Sequence, residues 1–265
     1  MPLDKTTEMS CSIVLIGSGN VATCIGRNAR RCGMTVKSVL SRSENHARKL
    51  AGLLGAAYTT CFADLPCDAD VYVVAVRDDA LDDVVKELPR VDGALFIHTA
   101  GCREMDVFKG FEALYGVMYP MQSFSQGRDL DFKEIPCFLE ANDEQSQRLL
   151  NVFASALSNR LYQLNTEKRK RLHLAAVFAS NFTNRCFVES ARLLKKIGLP
   201  FDVMLPLIDE TVDKVHTLSP EDAQTGPANR GDKQAVEMEG KLIDDVLLKE
   251  LYDLMSENIL KDKKR

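Results

Sequence analysis

The chain has 265 residues, of which 45% are hydrophobic and 27% are charged, and this is enough apolar material for one or two folded domains. Its net charge of −4 excludes a globally basic surface, so nucleic acid is not expected as a partner. No apolar run approaches the roughly 18 residues of a membrane span, and the first ten residues resemble no targeting signal, so we predict a cytoplasmic protein without a membrane partner.

The eight cysteines are scattered along the chain. They form no CxxC pair and have no histidine clustered beside them. This distribution favours reduced thiols over disulfides or a zinc site, so no metal is predicted.

Residues 11–165 alternate short β-branched runs with helical segments. The strand-like runs are SIVLIG, TVKSVLS, VYVVAV, ALFIHT, YGVMYP, IPCFLEA and RLYQLN. Continuous apolar strands separated by amphipathic helices are typical of a parallel sheet that is buried on both faces. The helix candidates include NVATCIGRNARRCG, SENHARKLAGLLG and DDALDDVVKELP, of which the first two stop at Gly33 and Gly55.

The pattern becomes helical from Thr166 onward, which predicts two domains, residues 1–165 and 166–265. A single helix is predicted over residues 167–197, because this stretch has no internal glycine or proline and is followed by Gly198. Its middle, LHLAAVFASNF, is apolar nearly all round, which predicts burial by several neighbours and a homodimer. Its charge run EKRKR is interpreted as solvated first turns.

Three further helices are predicted near the end of the chain, over residues 201–217, 232–243 and 244–260. The segment SPEDAQTGPANRGD between the first two is predicted to be a loop. Glu210, Asp213 and Lys214 lie at spacings of three and four residues, which favours a surface ion-pair ladder.

A glycine turn follows the first predicted strand and opens the first helix, with the spacing Gly17-x-Gly19-x-x-Ala22. Gly17 permits the tight turn, Gly19 lets backbone amides approach a pyrophosphate, and Ala22 allows close packing of helix on strand. The helix N-terminus then favours an anion. An ordinary strand-helix corner is the alternative, but the complete strand-helix-strand unit favours a nucleotide.

The second predicted strand ends in Ser41-Arg42-Ser43. Folds that select NAD place an acidic residue here on the ribose hydroxyls, whereas an arginine flanked by hydroxyls pairs with a 2′-phosphate. The residues therefore favour NADP. The alternative is a surface arginine beside a helix whose N-cap is Ser43.

Two more loops leave the predicted carboxyl edge of the sheet, where ligands bind in such folds. Arg77, Asp78 and Asp79 follow one strand, and the small residues Ala100 and Gly101 follow another, leaving room for a nicotinamide-ribose half. An ordinary helix N-cap at Asp78 and a plain turn at Gly101 are the alternatives.

Several motifs occur in the order GSGNVA, LSRS, AVRDDAL, HTAG, YPMQSFS, HLAAVFASNFTN, PLIDETVDKV and QTGPANRGD. Together they resemble a bacterial family assigned as NADP oxidoreductases, over about residues 12–260. The resemblance implies an α/β Rossmann-like domain followed by an all-helical domain like that of 6-phosphogluconate dehydrogenase, in a group related to pyrroline-5-carboxylate reductase. It also implies that the helical domain dimerises and completes the active site, and it leaves the substrate unassigned.

Carried onto this chain, the resemblance implies a set of site residues. His173, Asn181 and the loop of residues 226–232 would face the nicotinamide, and Gln122 and Arg230 are assigned to the substrate. The cofactor set is Gly17, Ser18, Gly19, Asn20, Val21, Ser41, Arg42, Ser43, Ala75, Val76, Thr99, Ala100 and Gly101.

The chain departs from this family at two positions. Relatives often carry a histidine followed by leucine where this chain has Glu239 and Gly240, and they tend to have serine in place of Cys102. If that histidine moves a proton in the family, this chain uses another group or is inactive. A non-catalytic, dimeric NADP-binding sensor is therefore the alternative to an enzyme.

Reduction by a nicotinamide needs an acid for the developing oxyanion or amide. His173 is the candidate acid because imidazole titrates near neutral pH, and Asn181 could orient the carbonyl. On an ideal α-helix the two side chains lie roughly 80° apart around the axis. The alternatives are a buried histidine bonded to a backbone carbonyl, and an asparagine that bonds between helices.

Two other residues are weighed for chemistry. Arg230 either pairs with Asp232 or holds a substrate carboxylate or phosphate. Cys102 is disfavoured as a nucleophile, because no general base lies beside it in the sequence. The sequence thus predicts an NADP-dependent oxidoreductase for a small carbonyl, imine or hydroxy acid.

Overall fold

The computed structural model describes residues 11–111 and 113–262. The chain divides into two compact units, Met1–Arg185 and Cys186–Arg265. The last strand ends at Gln163 and a helix begins at Thr166, so the secondary structure changes near residue 165 while the first unit continues to Arg185. The first ten residues, where no targeting signal is predicted, lie outside the described part.

The first unit is built on one eight-stranded sheet in the order β3-β2-β1-β4-β5-β6-β7-β8. Strands β1 to β6 run parallel, β7 is antiparallel to β6, and β8 is parallel to β7. The strands are β1 Ser12–Ile16, β2 Thr35–Leu40, β3 Ala57–Thr59, β4 Val71–Val74, β5 Leu95–His98, β6 Leu114–Pro120, β7 Cys137–Ala141 and β8 Leu161–Gln163. The Rossmann-like domain is confirmed, but β3 was not predicted and the sheet is not parallel throughout.

Helices cover both faces of this sheet. They are α1 Asn20–Arg31, α2 Glu44–Leu54, α3 Leu81–Glu87 and α4 Glu144–Leu157. Alternation along β1 places Ile13 and Leu15 in one apolar cluster with residues of α1, α2 and α4, and Val14 and Ile16 in a second cluster with residues of α3. The sheet is therefore a buried layer, and its ligand-binding edge is built from the loops at the strand ends.

A continuous helical segment follows β8. It comprises α5 Thr166–Ala176, a π-helical stretch Val177–Phe182, and α6 Thr183–Lys196. Asn165 caps its first turn by accepting a hydrogen bond from the Lys168 amide at 3.0 Å. The predicted single helix is therefore present, but its central turns are wider than those of an α-helix.

Two expectations about this helical segment are wrong. The ideal α-helical angle between His173 and Asn181 does not apply, because Asn181 lies in the π-helical stretch. The apolar middle is not buried within the chain, since Leu174, Phe178 and Phe182 have exposed fractions of 57%, 62% and 50%.

The second unit contains only helices among its described residues. They are the C-terminal part of α6, followed by α7 Leu205–Lys214, α8 Pro220–Ala223, α9 Pro227–Arg230, α10 Lys233–Gly240 and α11 Val246–Asp262, with a 3-10 turn at Phe201–Met204. The loop predicted at 219–232 thus carries two short helices. The all-helical character of the unit is confirmed, and none of the described helices is long and apolar enough to cross a membrane. Lys214 and Glu210 form the expected surface ion pair at 3.5 Å.

Candidate functional site

A cleft of about 970 Å³ lies at the carboxyl edge of the parallel strands. The loops that follow β1, β2, β4 and β6 supply its walls, together with the first turns of α1 and α2. Nine of the predicted cofactor residues line it, namely Gly17, Ser18, Gly19, Asn20, Ser41, Arg42, Ser43, Ala75 and Val76. Val21, Thr99, Ala100 and Gly101 are not among the lining residues.

The glycine turn has the geometry that its spacing predicts. Gly17 has a φ of +113°, and a Cβ added there would overlap the carbonyl oxygen of Ala75 in the neighbouring strand loop. A Cβ added at Gly19 would meet nothing within 4 Å, so this position opens onto empty space at the start of α1. The turn therefore forms an open cradle beside a helix N-terminus, which fits the pyrophosphate of a dinucleotide.

The end of β2 closes one side of the cleft with hydroxyl groups and positive charge. Ser18 Oγ donates a hydrogen bond to Ser41 Oγ at 2.8 Å, which ties the glycine turn to this strand end. Ser43 caps α2 by accepting from the His46 amide at 3.4 Å, as the structural alternative predicted. Arg42 is exposed and forms no ion pair within the described ranges, and Lys49 also lines the cleft. This corner therefore suits a phosphate group better than a diol.

The loop after β4 is held by its own charges. Arg77 and Asp79 form an ion pair at 2.6 Å, and a 3-10 turn begins at Asp78. The N-cap position is Arg77, and no side chain caps the turn, so the predicted cap at Asp78 is not formed.

The loop after β5 is positioned by a buried histidine. His98 has no exposed surface, and its Nδ1 accepts a hydrogen bond from the Ala100 amide at 3.2 Å. Its Nε2 lies 3.2 Å from the carbonyl oxygen of Glu104, so the neutral imidazole with a proton on Nε2 satisfies both contacts. Burial, and then the nearby charge of Arg169, lowers the pKa of His98 to about 3. His98 is thus a neutral, buried side chain whose two hydrogen bonds hold the loop of residues 99–104 in place.

Gly101 lies at the point where this loop meets two polar side chains. An added Cβ would overlap the His173 imidazole and would lie 3.0 Å from Tyr119 Cε2. Tyr119 Oη and His173 Nδ1 are 3.0 Å apart. Gly101 is therefore required by close approach, and His173 is bonded to a tyrosine hydroxyl instead of the backbone carbonyl expected for a structural histidine.

A buried ion pair anchors the helix that carries His173. Arg169 is 1% exposed, and its guanidinium donates to the Glu140 carboxylate on β7 and to the carbonyl oxygen of Arg103. The same carboxylate accepts from the Thr166 amide at 2.8 Å. The charge run at 167–171 is therefore not simply a solvated surface, since Arg169 is part of the interior.

The remaining predicted catalytic and substrate residues have no contact with Tyr119 or His173 among the hydrogen bonds of the described residues. Asn181 is exposed in the π-helical stretch, and Gln122 is exposed in the loop after β6, where its Oε1 accepts from the Ser123 amide at 2.7 Å. Arg230 is exposed at the end of α9 in the second unit. The carboxylate of Asp232 caps α10 by accepting from the Ala235 amide at 3.0 Å.

The two positions that depart from the family are also defined. Glu239 accepts a hydrogen bond from Tyr252 Oη at 2.8 Å, so its carboxylate joins α10 to α11. Burial, and then the charge of Asp78, raises the pKa of the Cys102 thiol, which disfavours a thiolate nucleophile. All eight cysteines are free, and the described residues include no cluster of metal-ligating side chains.

Sequence reasoning missed three features of this region. Tyr119 belongs to the quoted motif YPMQSFS, but nothing in the motif indicates which tyrosine meets a histidine. Arg169 looks like any residue of a charged run. The segment 124–130 also lines the cleft, and it is attached to the glycine turn through Asn20, which donates to the Phe124 carbonyl oxygen at 2.9 Å.

A strand order of 3-2-1-4-5-6 with a glycine turn after the first strand defines the Rossmann class of dinucleotide-binding folds. The profile described as NADP oxidoreductase, coenzyme F420-dependent, matches residues 12–100, and a domain of unknown function, DUF2520, matches residues 135–259. The chain belongs to the family of NADP oxidoreductases that combines these two domains.

Solved structures support this assignment. A Bacteroides fragilis protein assigned as an NADP oxidoreductase, BF3122, is 46% identical, with a TM-score of 0.89 over 96% of this chain and 100% of that one. Protein TM1727 from Thermotoga maritima is 26% identical, with a TM-score of 0.70 over 96% and 100% of the two chains. An imine reductase from Myxococcus stipitatus in complex with NADP+ shares the fold, with 16% identity and a TM-score of 0.66 over 96% and 93%. No protein of curated function matches the chain.

Proposed function

We propose that this protein is an NADPH-dependent reductase of a small carbonyl or imine, or in reverse a dehydrogenase of the corresponding hydroxy acid or amine. The observation that carries the proposal is the continuous cleft from the glycine turn to Arg42, a cation with no internal partner in the described ranges. NADPH supplies a hydride when bound, and the protein supplies orientation and a proton.

The proposal assigns the roles as follows. The glycine turn holds the pyrophosphate, and Arg42 with Ser41 and Ser43 holds the 2′-phosphate. Residues 99–101 lie beside the nicotinamide, and His173 supplies the proton that the reduction consumes. Asn181 orients the substrate, and Gln122 binds its polar groups.

The assignment of Arg42 predicts a change of cofactor preference. Wild-type protein should bind NADPH more tightly than NADH in calorimetry, and Arg42→Ala should remove most of this difference while NADH affinity stays the same, because only the 2′-phosphate loses a partner. Arg48→Ala is the matched control, since Arg48 lies on α2 but outside the cleft lining. Equal affinities for both cofactors in the wild type would refute the NADP assignment at this residue.

A second candidate function is a dimeric NADP-binding sensor without catalysis. The specific observation in its favour is Glu239, which replaces the histidine of relatives and is bonded to Tyr252. Following NADPH oxidation at 340 nm against a panel of 2-oxo acids, cyclic imines and aldehydes separates the two functions. Turnover of any panel member supports the reductase, whereas tight NADPH binding with no turnover supports the sensor.

We further propose that the protein is a cytoplasmic homodimer. The exposed apolar side chains that support a dimer are concentrated in the segment after β8, where Leu242, Val246 and Leu247 have exposed fractions of 74% to 76%. A second copy of the chain is the expected partner, because soluble oligomers are most often symmetric dimers. The free cysteines favour a reducing compartment.

A further inference from the structure

Tyr119 lies at the same sheet edge as the cofactor cleft. Strand β6 runs parallel to β5, with Val117 paired to His98, so Tyr119 lies beside the loop that contains Ala100 and Gly101. The tyrosine is 9% exposed, and its ring packs against Phe138 in a small apolar cluster. Its hydroxyl is therefore held on the loop proposed to adjoin the nicotinamide.

The reversed strands bring His173 to this edge. Because β7 and β8 run against β6, the chain leaves β8 at the opposite edge, and α5 then runs back toward the cleft. The ion pair of Arg169 with Glu140 fixes the position of α5 along the direction of β6, because Glu140 is paired with Val117 on that strand. Four residues of α-helix rise about 6 Å and two residues of strand about 6.6 Å, so His173 reaches the level of Tyr119.

This arrangement leaves little freedom for the tyrosine and histidine. Gly101 has no room for a Cβ on the side where the two rings meet, and their centroids are 5.7 Å apart in an edge-on arrangement. The imidazole thus orients the hydroxyl, while the edge of the tyrosine ring lies beside Gly101. Such preorganisation is what a proton donor requires.

We propose that Tyr119 is the residue that protonates the reduced substrate, and that His173 resupplies the proton. The inference rests on the proposed reductase function and specifies its proton path. As the substrate carbon gains a hydride, the electron pair of its double bond moves to oxygen or nitrogen, which takes the proton from Tyr119 Oη. The phenolate takes the Nδ1 proton of the His173 imidazolium, and the neutral imidazole regains a proton from solvent. One turnover consumes one hydride and one solvent proton.

The surroundings keep the tyrosine protonated at neutral pH. Burial, followed by the charges of Cys102 and Asp78, raises the pKa of Tyr119. On the helix side, Arg169 and Lys170 precede His173 by about one turn, and both are engaged by carboxylates. The phenol therefore has a proton to donate, and the imidazole 3.0 Å away is the group placed to replace it.

The first test is the substitution Tyr119→Phe, which keeps the ring and removes the hydroxyl. With a substrate that the wild type reduces, kcat should fall by about 100-fold or more, because general acids contribute at least that factor, while NADPH affinity stays unchanged. Tyr115→Phe is the matched control on the same strand, where the ring packs against Phe108 and lies outside the site. Its kcat should stay within about twofold of wild type.

The second test measures the contact between Tyr119 and His173 by NMR, and it needs no substrate turnover. The chain has four histidines, and the ¹⁵N resonances of His173 are identified by their loss in His173→Gln. At fixed pH the Nδ1 resonance should shift in Tyr119→Phe and stay in place in Tyr115→Phe. In His173→Gln, kcat should also fall, because the phenolate of Tyr119 then has no proton source beside it.

The outcomes separate this inference from the function on which it rests. If the wild type reduces a substrate and Tyr119→Phe does so equally fast, the proton path is wrong and the reductase stands. An Nδ1 resonance that is identical in wild type and Tyr119→Phe overturns the coupling of the two residues. If the wild type binds NADPH but reduces no panel compound, the reductase function fails and the proton path fails with it.

Discussion

His98 shows how one side chain can be committed to a single protonation state. Its two nitrogens serve as one acceptor and one donor, and a proton on Nδ1 would face the Ala100 amide with a second donor. The pKa of about 3 follows mainly from burial, which disfavours the charged imidazole. The residue is therefore neutral at neutral pH and holds the loop through its shape and its hydrogen bonds.

This state predicts a loss of stability in acid. Because the folded pKa of His98 lies below the unfolded value of about 6.5, its stabilisation is complete above that pH and is lost as the pH falls toward 3. In urea unfolding, the advantage of wild type over His98→Gln should shrink by about 1.4 kcal/mol per pH unit below 6.5.

Exposed His216 provides the control for this experiment. At neutral pH, His216→Gln should leave the free energy of unfolding within about 0.5 kcal/mol of wild type, because His216 is at the surface. If the difference in free energy of unfolding between wild type and His98→Gln does not change between pH 7 and pH 5, His98 is not held neutral by burial.

At the residue scale, the sequence predicted the positions whose roles are local. Gly17, Gly19 and Ser43 could be assigned because a tight turn and an N-cap depend on neighbours within a few residues. Tyr119 and Arg169 could not, because their partners are His173 and Glu140, far away in the chain. The partners of such residues depend on the order and the direction of the strands, which the local sequence does not determine.

Strand β7 is the element that departs most from expectation. Its apolar run resembles those of the parallel strands, because burial on both faces produces the same sequence in either direction. Direction depends instead on the connection that precedes the strand, and residues 121–136 contain only a 3-10 turn at Phe132–Glu134 among their regular elements. The parallel core was thus predictable, whereas the reversal was not.

The contact between β7 and α5 predicts a large stability effect. Glu140→Gln should lower the free energy of unfolding by about 3–5 kcal/mol, because it leaves the buried Arg169 guanidinium without its counter-charge. Chemical denaturation with intact protein as reference measures this change. Glu144→Gln on the exposed pair with Arg148 is the control and should cost less than about 1 kcal/mol.

A second variant checks the cause of that effect. The double substitution Glu140→Leu with Arg169→Met removes both charges, and it should be less destabilised than Glu140→Gln alone. If Glu140→Gln costs no more than the exposed control, the ion pair does not anchor the helix.

The whole molecule is predicted to be a dimer through its helical part. Sedimentation at micromolar concentration should give twice the chain mass of 29.5 kDa. Leu247→Glu should weaken the dimer, because it places a charge on an exposed apolar surface of α11. Val152→Glu, on α4 of the first unit, is the control and should leave the mass unchanged.

A wild-type chain that sediments as a monomer at this concentration would contradict the dimer. The sequence predicted burial for the apolar middle of the helix over residues 167–197, because the residue pattern indicates only that a helix face avoids water. The pattern does not indicate whether the residues that bury this face belong to the same chain or to a second copy.

The return of α5 to the cleft edge has an evolutionary consequence. The residues that line the cleft all precede residue 131, whereas the histidine that would recharge the acid is encoded more than forty positions later. Under the proposed proton path, the two halves of a reduction would therefore lie on separate stretches of sequence. A lineage can replace the proton source while keeping its nicotinamide, so relatives with one cofactor can differ in the compounds they reduce.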